Sequence, residues 1–263
     1  MKIICIGAHP DDCEIEFGGT AAKLAAAGHN VKFLSVTNGA AGHFSESGPS
    51  LADRRRREAQ EAAARLGIDS TEVLSNPDAQ LVPALESRWE IVRQIRLWRA
   101  DIVLTHRPWD YHPDHRYASQ LVQDSAYLVV VPSICPETPC LRENPVFLYL
   151  EDRFHWPAPF APDLAVDIDD VWERKMDALD AHASQVYEWL PWVDGDLNDV
   201  PQSAGARRAW LSRRWSRELS LCTRAALARR YGSTRNIERA EAFQVCEYGR
   251  RPSAEELDEI FPR

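Results

Sequence analysis

Residues 1–7 (MKIICIG) carry one polar side chain, Lys2, and are otherwise apolar along their length. A strand with so little polar surface is hard to place at a wet edge. It reads as a central strand of a parallel sheet, covered on both faces by helices. The rest of the chain alternates in keeping with that. Residues 31–37, 72–74, 102–105, 146–150 and 164–168 are strand-like, and residues 18–28, 51–66, 84–98, 114–130 and 169–184 read as helices between them. Gly28 and Gly67 stand where helices should end, and Leu85, Trp89, Val92 and Ile95 draw an apolar stripe at helical spacing. The order βαβα implies an α/β fold: a Rossmann-like, mostly parallel sheet with helices on both faces. No G-x-G-x-x-G follows the first strand, which argues against a dinucleotide cofactor.

Two short stretches lie just past strand-like runs and concentrate His and Asp. They are Ala8-His9-Pro10-Asp11-Asp12-Cys13-Glu14 and Asp110-Tyr111-His112-Pro113-Asp114-His115. In open α/β sheets ligands bind beyond the C-terminal ends of the strands. His9 and Asp12 are close enough in sequence to fold onto one ion, with Pro10 keeping the turn tight. Asp11 lies between them, should point differently, and can stay off the metal as a base. His115 can supply a third ligand across the sheet, with His112 facing the same cavity. Two histidines and a carboxylate with one position left over are the donor set of an open, catalytic Zn²⁺ site. Either stretch alone is most simply a turn; the pair at one sheet edge is not so easily explained.

The first stretch resembles the A-H-P-D-D-x-E signature of the PIG-L/LmbE-like zinc-dependent de-N-acetylases, and the second resembles their H-P-D-H signature. Weaker likenesses are Arg55-Arg56-Arg57-Glu58-Ala59, Asn76-Pro77-Asp78 and His182-Ala183-Ser184-Gln185. The resemblance covers most of residues 1–190. It implies one zinc ion held by His9, Asp12 and His115, and removal of an acetyl group from an N-acetylglucosamine-type sugar or small glycoconjugate. In the mechanism it implies, Asp11 is the general base and His112, as a cation held by Asp114, stabilises the oxyanion. Asp114 can also cap the helix that follows. Arg55 and Asp78 match positions that hold substrate hydroxyls, although a solvated helix face would equally explain Arg55. Glu14 is expected to orient a ligand or backbone group from behind, and His182 to line the site or cap its helix. Trp109 is the best-placed indole for stacking on a sugar ring.

Composition narrows the remaining classes. A net charge of −9 disfavours a general nucleic-acid binder, and a 44% hydrophobic fraction disfavours disorder. No apolar run is long enough to span a bilayer, and the brief first apolar run runs straight into the motif, unlike a signal peptide. A cytoplasmic protein is expected, a homo-oligomer acting on a small acetamido-sugar substrate, with no nucleic-acid partner. The six cysteines form no C-x-x-C, so a structural zinc ribbon is not expected. Cys13 is read as a bland neighbour of Asp12. Residues 1–190 are expected to form the catalytic domain. Residues 191–263 are expected to be a helical extension packed on it, with one amphipathic helix over 206–231. Other readings are an amidase on a thiol conjugate or antibiotic-type intermediate, a metal-dependent glycosyltransferase, and a non-catalytic sugar-binding protein. Mg²⁺ prefers oxygen donors, so His9 and His115 argue against the transferase.

Overall fold

A computed structural model describes residues 1–263. Seven strands form one sheet in the order β3-β2-β1-β4-β5-β7-β6. The apolar first run is β1 (Lys2–Gly7), flanked by β2 (Asn30–Thr37) and β4 (Ile102–Thr105). It pairs in parallel with both, Ile3 opposite Val31 on one side and Ile102 on the other. β3 (Ser70–Asn76) lies outside β2, and β5 (Val146–Leu150) lies outside β4, both parallel to their neighbours.

Alternation along β1 serves two cores. Ile3 and Cys5 join the cluster containing Phe17, Leu66 and Met176, whereas Ile4 and Ile6 join the cluster containing Ile91, Ile95 and Leu121. The first layer holds α1 (Asp12–Ala26), α2 (Gly48–Leu66) and α5 (Trp172–Ala181). The second holds α3 (Leu85–Trp98) and α4 (Pro113–Leu128). The chain therefore winds away from β1 to β2 and β3 on one side and to β4 and β5 on the other. A crevice opens at the C-terminal ends of β1 and β4, where the strand order reverses.

Several expectations need correction. α1 starts at Asp12 inside the first motif, six residues before the Ala-rich segment that suggested it. The helix expected over 169–184 is a 3₁₀ turn (Asp169–Val171), α5, and a π-helical turn at Ser184–Trp189 leading into α6 (Leu190–Asp194). The single helix expected over 206–231 is two, α7 (Ala204–Trp215) and α8 (Leu221–Tyr231). Its apolar face serves two different cores, Leu211 packing with the first and Leu227 with a small cluster around Phe160.

The C-terminal stretch is also not wholly helical. Besides α9 (Ala254–Ile260) it supplies β7 (Ala240–Val245), which runs antiparallel between β5 and β6 (Leu164–Asp167). The strand was hidden because its inward residue Glu241 is a buried acid, which breaks the apolar pattern. Glu241 accepts hydrogen bonds from Lys175 Nζ (2.7 Å) and from the N–H groups of Gly19 (2.9 Å) and Thr20 (2.7 Å). No helix is long and apolar enough to cross a membrane.

Candidate active site

Gly7 ends β1 because any side chain there would collide with Asp12: an added Cβ would lie 2.7 Å from the Asp12 Cβ. The chain then turns sharply into α1. Asp11 takes the N-cap position with φ of 152°, a region L side chains rarely adopt. The turn directs His9, Asp11 and Asp12 into the crevice, and α4, entered through Pro113, brings His115 in from β4.

His9 Nδ1 lies 3.1 Å from His115 Nε2 and 3.5 Å from Asp12 Oδ2, and His115 Nε2 lies 3.4 Å from Asp12 Oδ1. These are close to the edges of a tetrahedron with metal bonds of about 2.0–2.2 Å. The surroundings also aim the nitrogens. Asp78 Oδ1 and Asp114 Oδ2 flank His9 Nε2 at 3.2 and 3.4 Å, and Asp110 Oδ1 lies 3.2 Å from His115 Nδ1. Protons held on those outer nitrogens leave His9 Nδ1 and His115 Nε2 as facing lone pairs, the usual arrangement of metal-binding imidazoles. His9, Asp12 and His115 are thus spaced so that they could serve one metal ion, and His112 and His106 stand within reach of the same centre, in trios with His9 and His115 and with Asp12 and His115.

The charges are set by burial and by neighbours. Burial works against ionising Asp12, but His115 and His106 outweigh it and hold the carboxyl well below its ordinary range. Burial likewise opposes a charge on His9, yet Asp114, Asp12 and Asp78 raise its pKa well above normal, so a metal ion would bind Nδ1 by displacing a proton from it. Asp11 goes the other way. Burial pushes its carboxyl up to about 6, with Arg55 only partly offsetting the shift.

His106 was not singled out from the sequence. It is the first residue past β4, and it stacks on His115 with ring centroids 4.3 Å apart. Its Nε2 lies 3.1 Å from Asp12 Oδ2. Its place directly after a strand-like run was the available signal.

Other expected residues are present in changed roles. Asp114 does not hold His112. It is fully buried, flanks His9, and accepts from the N–H groups of Ala79 (2.7 Å) and Leu81 (3.3 Å). His112 instead caps α4, its Nδ1 accepting from the Asp114 N–H at 3.1 Å. That fixes the ring proton on Nε2, and burial with His9 and His115 nearby lowers its pKa, which favours a neutral donor over the expected cation.

Arg55 is neither a solvated helix residue nor free to meet a substrate. It is 2% exposed, and Nη2 donates to Asp11 Oδ1 at 3.0 Å and to the Pro10 carbonyl at 3.2 Å. Asp78 is similarly engaged, Oδ2 accepting from the N–H groups of Ala41 (2.9 Å) and Gly42 (3.1 Å). Glu14 and His182 face each other at 3.4 Å in the interior behind Asp11. Cys13 points at the Cys5 carbonyl, away from the ligand set. Trp109 is 40% exposed at the rim, over the Arg107 guanidinium. On a separate aromatic wall, Trp192 stacks on Trp189 and on Phe44.

Comparison with known proteins bears directly on this arrangement. The family model described as PIG-L, GlcNAc-PI de-N-acetylase, matches residues 4–126. Diacetylchitobiose deacetylase of Thermococcus kodakarensis is 35% identical over 198 residues, 73% of this chain and 73% of that protein. The chain belongs to the PIG-L family. The structure of N,N'-diacetylchitobiose deacetylase from Pyrococcus horikoshii superposes with a TM-score of 0.70 at 25% identity, covering 94% of this chain and 84% of that one. A protein named 4-oxalmesaconate hydratase, from Pseudomonas putida, is 25% identical over 194 residues, 71% of this chain and 74% of that protein. Within the family match lie the buried ligand set, Asp11 and His112, at the end of β1 and the start of α4.

Proposed function

We propose that the protein is a zinc-dependent de-N-acetylase acting on an N-acetylglucosamine-type sugar or a small conjugate of one. The observation that carries this reading is the division of labour between two adjacent buried acids. Asp12 is held ionised among imidazoles, while Asp11 is pushed up to about 6 and anchored by Arg55. The deacetylases among the relatives support the choice of substrate class.

His9, Asp12 and His115 would hold the ion. When bound, zinc supplies Lewis acidity that activates water near neutral pH and polarises an acyl carbonyl. Asp11 takes the proton from the attacking water through the carboxylate oxygens that Arg55 orients. The same carboxyl then returns the proton to the departing nitrogen as the C–N bond breaks, so that the amine leaves with acetic acid, whose remaining proton passes to the amine or to solvent. His112 donates from Nε2 to the oxygen that gains charge as the carbonyl carbon becomes tetrahedral. Asp114 and Asp110 keep the two imidazole ligands turned toward the centre. Residues 1–190 carry this chemistry in our reading, and residues 191–263 pack on the same domain.

The test is acetate release from N-acetylglucosamine and its small glycosides by protein of measured metal content. Release that depends on zinc and is lost in Asp11→Asn is expected. A second reading comes from the hydratase relative, because a base beside a metal can also add water to an activated double bond. Consumption of an unsaturated tricarboxylate, without acetate release from any acetamido sugar, would replace the deacetylase reading with that one.

A further inference from the structure

Beside the ligand set, and bordering it through Asp110 and Tyr111, which both meet His115, lies a pocket of about 490 Å³. Its volume falls within the common range for small-ligand sites. Its walls are Trp109, Tyr111, Phe154 and Trp156, with Arg116 and His155 completing the rim. Tyr111 connects it to the centre, its ring meeting His112 and His115 edge to face at 5.8 and 5.6 Å. Trp109 is 40%, Tyr111 71% and Trp156 84% exposed, three large aromatics turned outward at one place.

The pocket is built by two loops that Arg107 ties together. Its Nη1 donates to Asp152 Oδ1 at 3.2 Å, its Nη2 donates to the Ala158 carbonyl, and its guanidinium lies 5.1 Å from the Trp109 ring centre. The two charged side chains of the wall are already engaged. Asp110 Oδ1 accepts from the His112 N–H at 2.8 Å and flanks His115, and Arg116 Nη1 donates to the Asp110 and Tyr111 carbonyls. A second sugar ring would bring hydroxyls that need partners. This wall offers mainly ring faces.

We infer that this pocket receives a flat, apolar aglycone, aromatic by preference, carried on the acetamido sugar. The inference rests on the de-N-acetylase reading above. In that reading the acyl group has only two carbons, so the aglycone is the part of the substrate large enough to fill the space. Specificity for the conjugate then resides in Trp109, Phe154 and Trp156.

The test compares kcat/KM for N-acetylglucosamine, N,N'-diacetylchitobiose, phenyl N-acetyl-β-glucosaminide and N-octanoylglucosamine, in the zinc-loaded protein and in Phe154→Ala and Trp156→Ala. Burying a phenyl ring predicts an advantage for the phenyl glycoside over N-acetylglucosamine of roughly tenfold or more. That ratio should collapse toward one in both variants. Chitobiose equal to or better than the phenyl glycoside would assign the pocket to a sugar, and preference for the octanoyl amide would assign it to the acyl group. Either result overturns the inference while leaving the deacetylase reading in place. Binding is read separately, by quenching of tryptophan fluorescence with phenyl β-glucoside, which has no acetamido group to hydrolyse. Saturable quenching lost in a Trp109→Ala/Trp156→Ala double variant supports the aromatic site even if no compound releases acetate. Unchanged quenching in the double variant overturns it.

Discussion

Asp11 and Asp12 are neighbours in sequence and equally buried, yet their carboxyls sit at opposite ends of the acidic range. Asp12 lies among imidazoles, and Asp11 faces one guanidinium that only partly repays its burial. A base at about 6 must be deprotonated to accept a proton, so activity should rise with pH through about 6. A bound dication favours the ionised form, so metal loading should move that limb to lower pH. A pH–rate profile measured at saturating zinc checks this; an acidic limb above 7 would remove Asp11 from the base role. Asp11→Asn should retain the metal and lose about 10²–10⁴ in kcat, whereas Asp12→Asn should lose the metal. Elemental analysis of both variants decides, and the reverse pattern would exchange the two roles. His112→Ala should also lower kcat with the metal retained. Because its ring is neutral and capped onto the Asp114 N–H, the alkaline limb should be the same in the variant as in the parent. The residues at the strand ends were legible because an apolar run followed by His and Asp is a local pattern. The partners of Arg55, Asp78 and Asp114 were not, since each contact depends on how a distant loop folds back over the crevice.

At the scale of elements, α1 is pinned from the side. Lys175 donates to the Ile15 carbonyl and to Glu241, and Glu241 accepts from the Gly19 and Thr20 N–H groups at distances of 2.7–2.9 Å. The buried ion pair thereby ties α5 and β7 to the helix that begins in the catalytic turn. Breaking such a pair by removing one partner typically costs about 3–5 kcal/mol. Lys175→Met should therefore lower the urea midpoint markedly, and adding Glu241→Leu should recover part of the loss. A double variant no more stable than Lys175→Met would mean that the N–H contacts of Glu241, rather than the pair, hold the helix. Arg96 illustrates why such features resist reading from sequence. Its charge suggests an outward residue on α3, yet it is 2% exposed and donates to backbone carbonyls including Leu128, Val129, Val131 and Thr138. Polarity predicts exposure only where the backbone offers nothing to bond. Helix ends and buried loops offer a great deal.

For the whole molecule, the parallel half of the sheet was legible because strands buried on both faces must be apolar throughout. The antiparallel closure by β7 was not, because an acid with a buried partner looks like a surface residue. The proposed ligands converge only in the folded state, so binding of the proposed ion should add to global stability. Zinc at about a hundred times its dissociation constant should contribute roughly 2.7 kcal/mol. Chelation should lower Tm, zinc should restore it, and His115→Ala should abolish the response in differential scanning calorimetry. A full response in that variant would place the stabilising ion elsewhere. The facing nitrogens of His9 and His115 are 106 residues apart in sequence, and they meet only when β4 docks beside β1. During synthesis, the first ligands therefore leave the ribosome long before their partner. An ion that arrives early finds half a chelate, and lasting capture waits for the second motif to clear the exit tunnel. If the ion is zinc, as proposed, its scarcity would bear on a chain whose β4 has already docked beside β1, so filling of the site would follow that pairing.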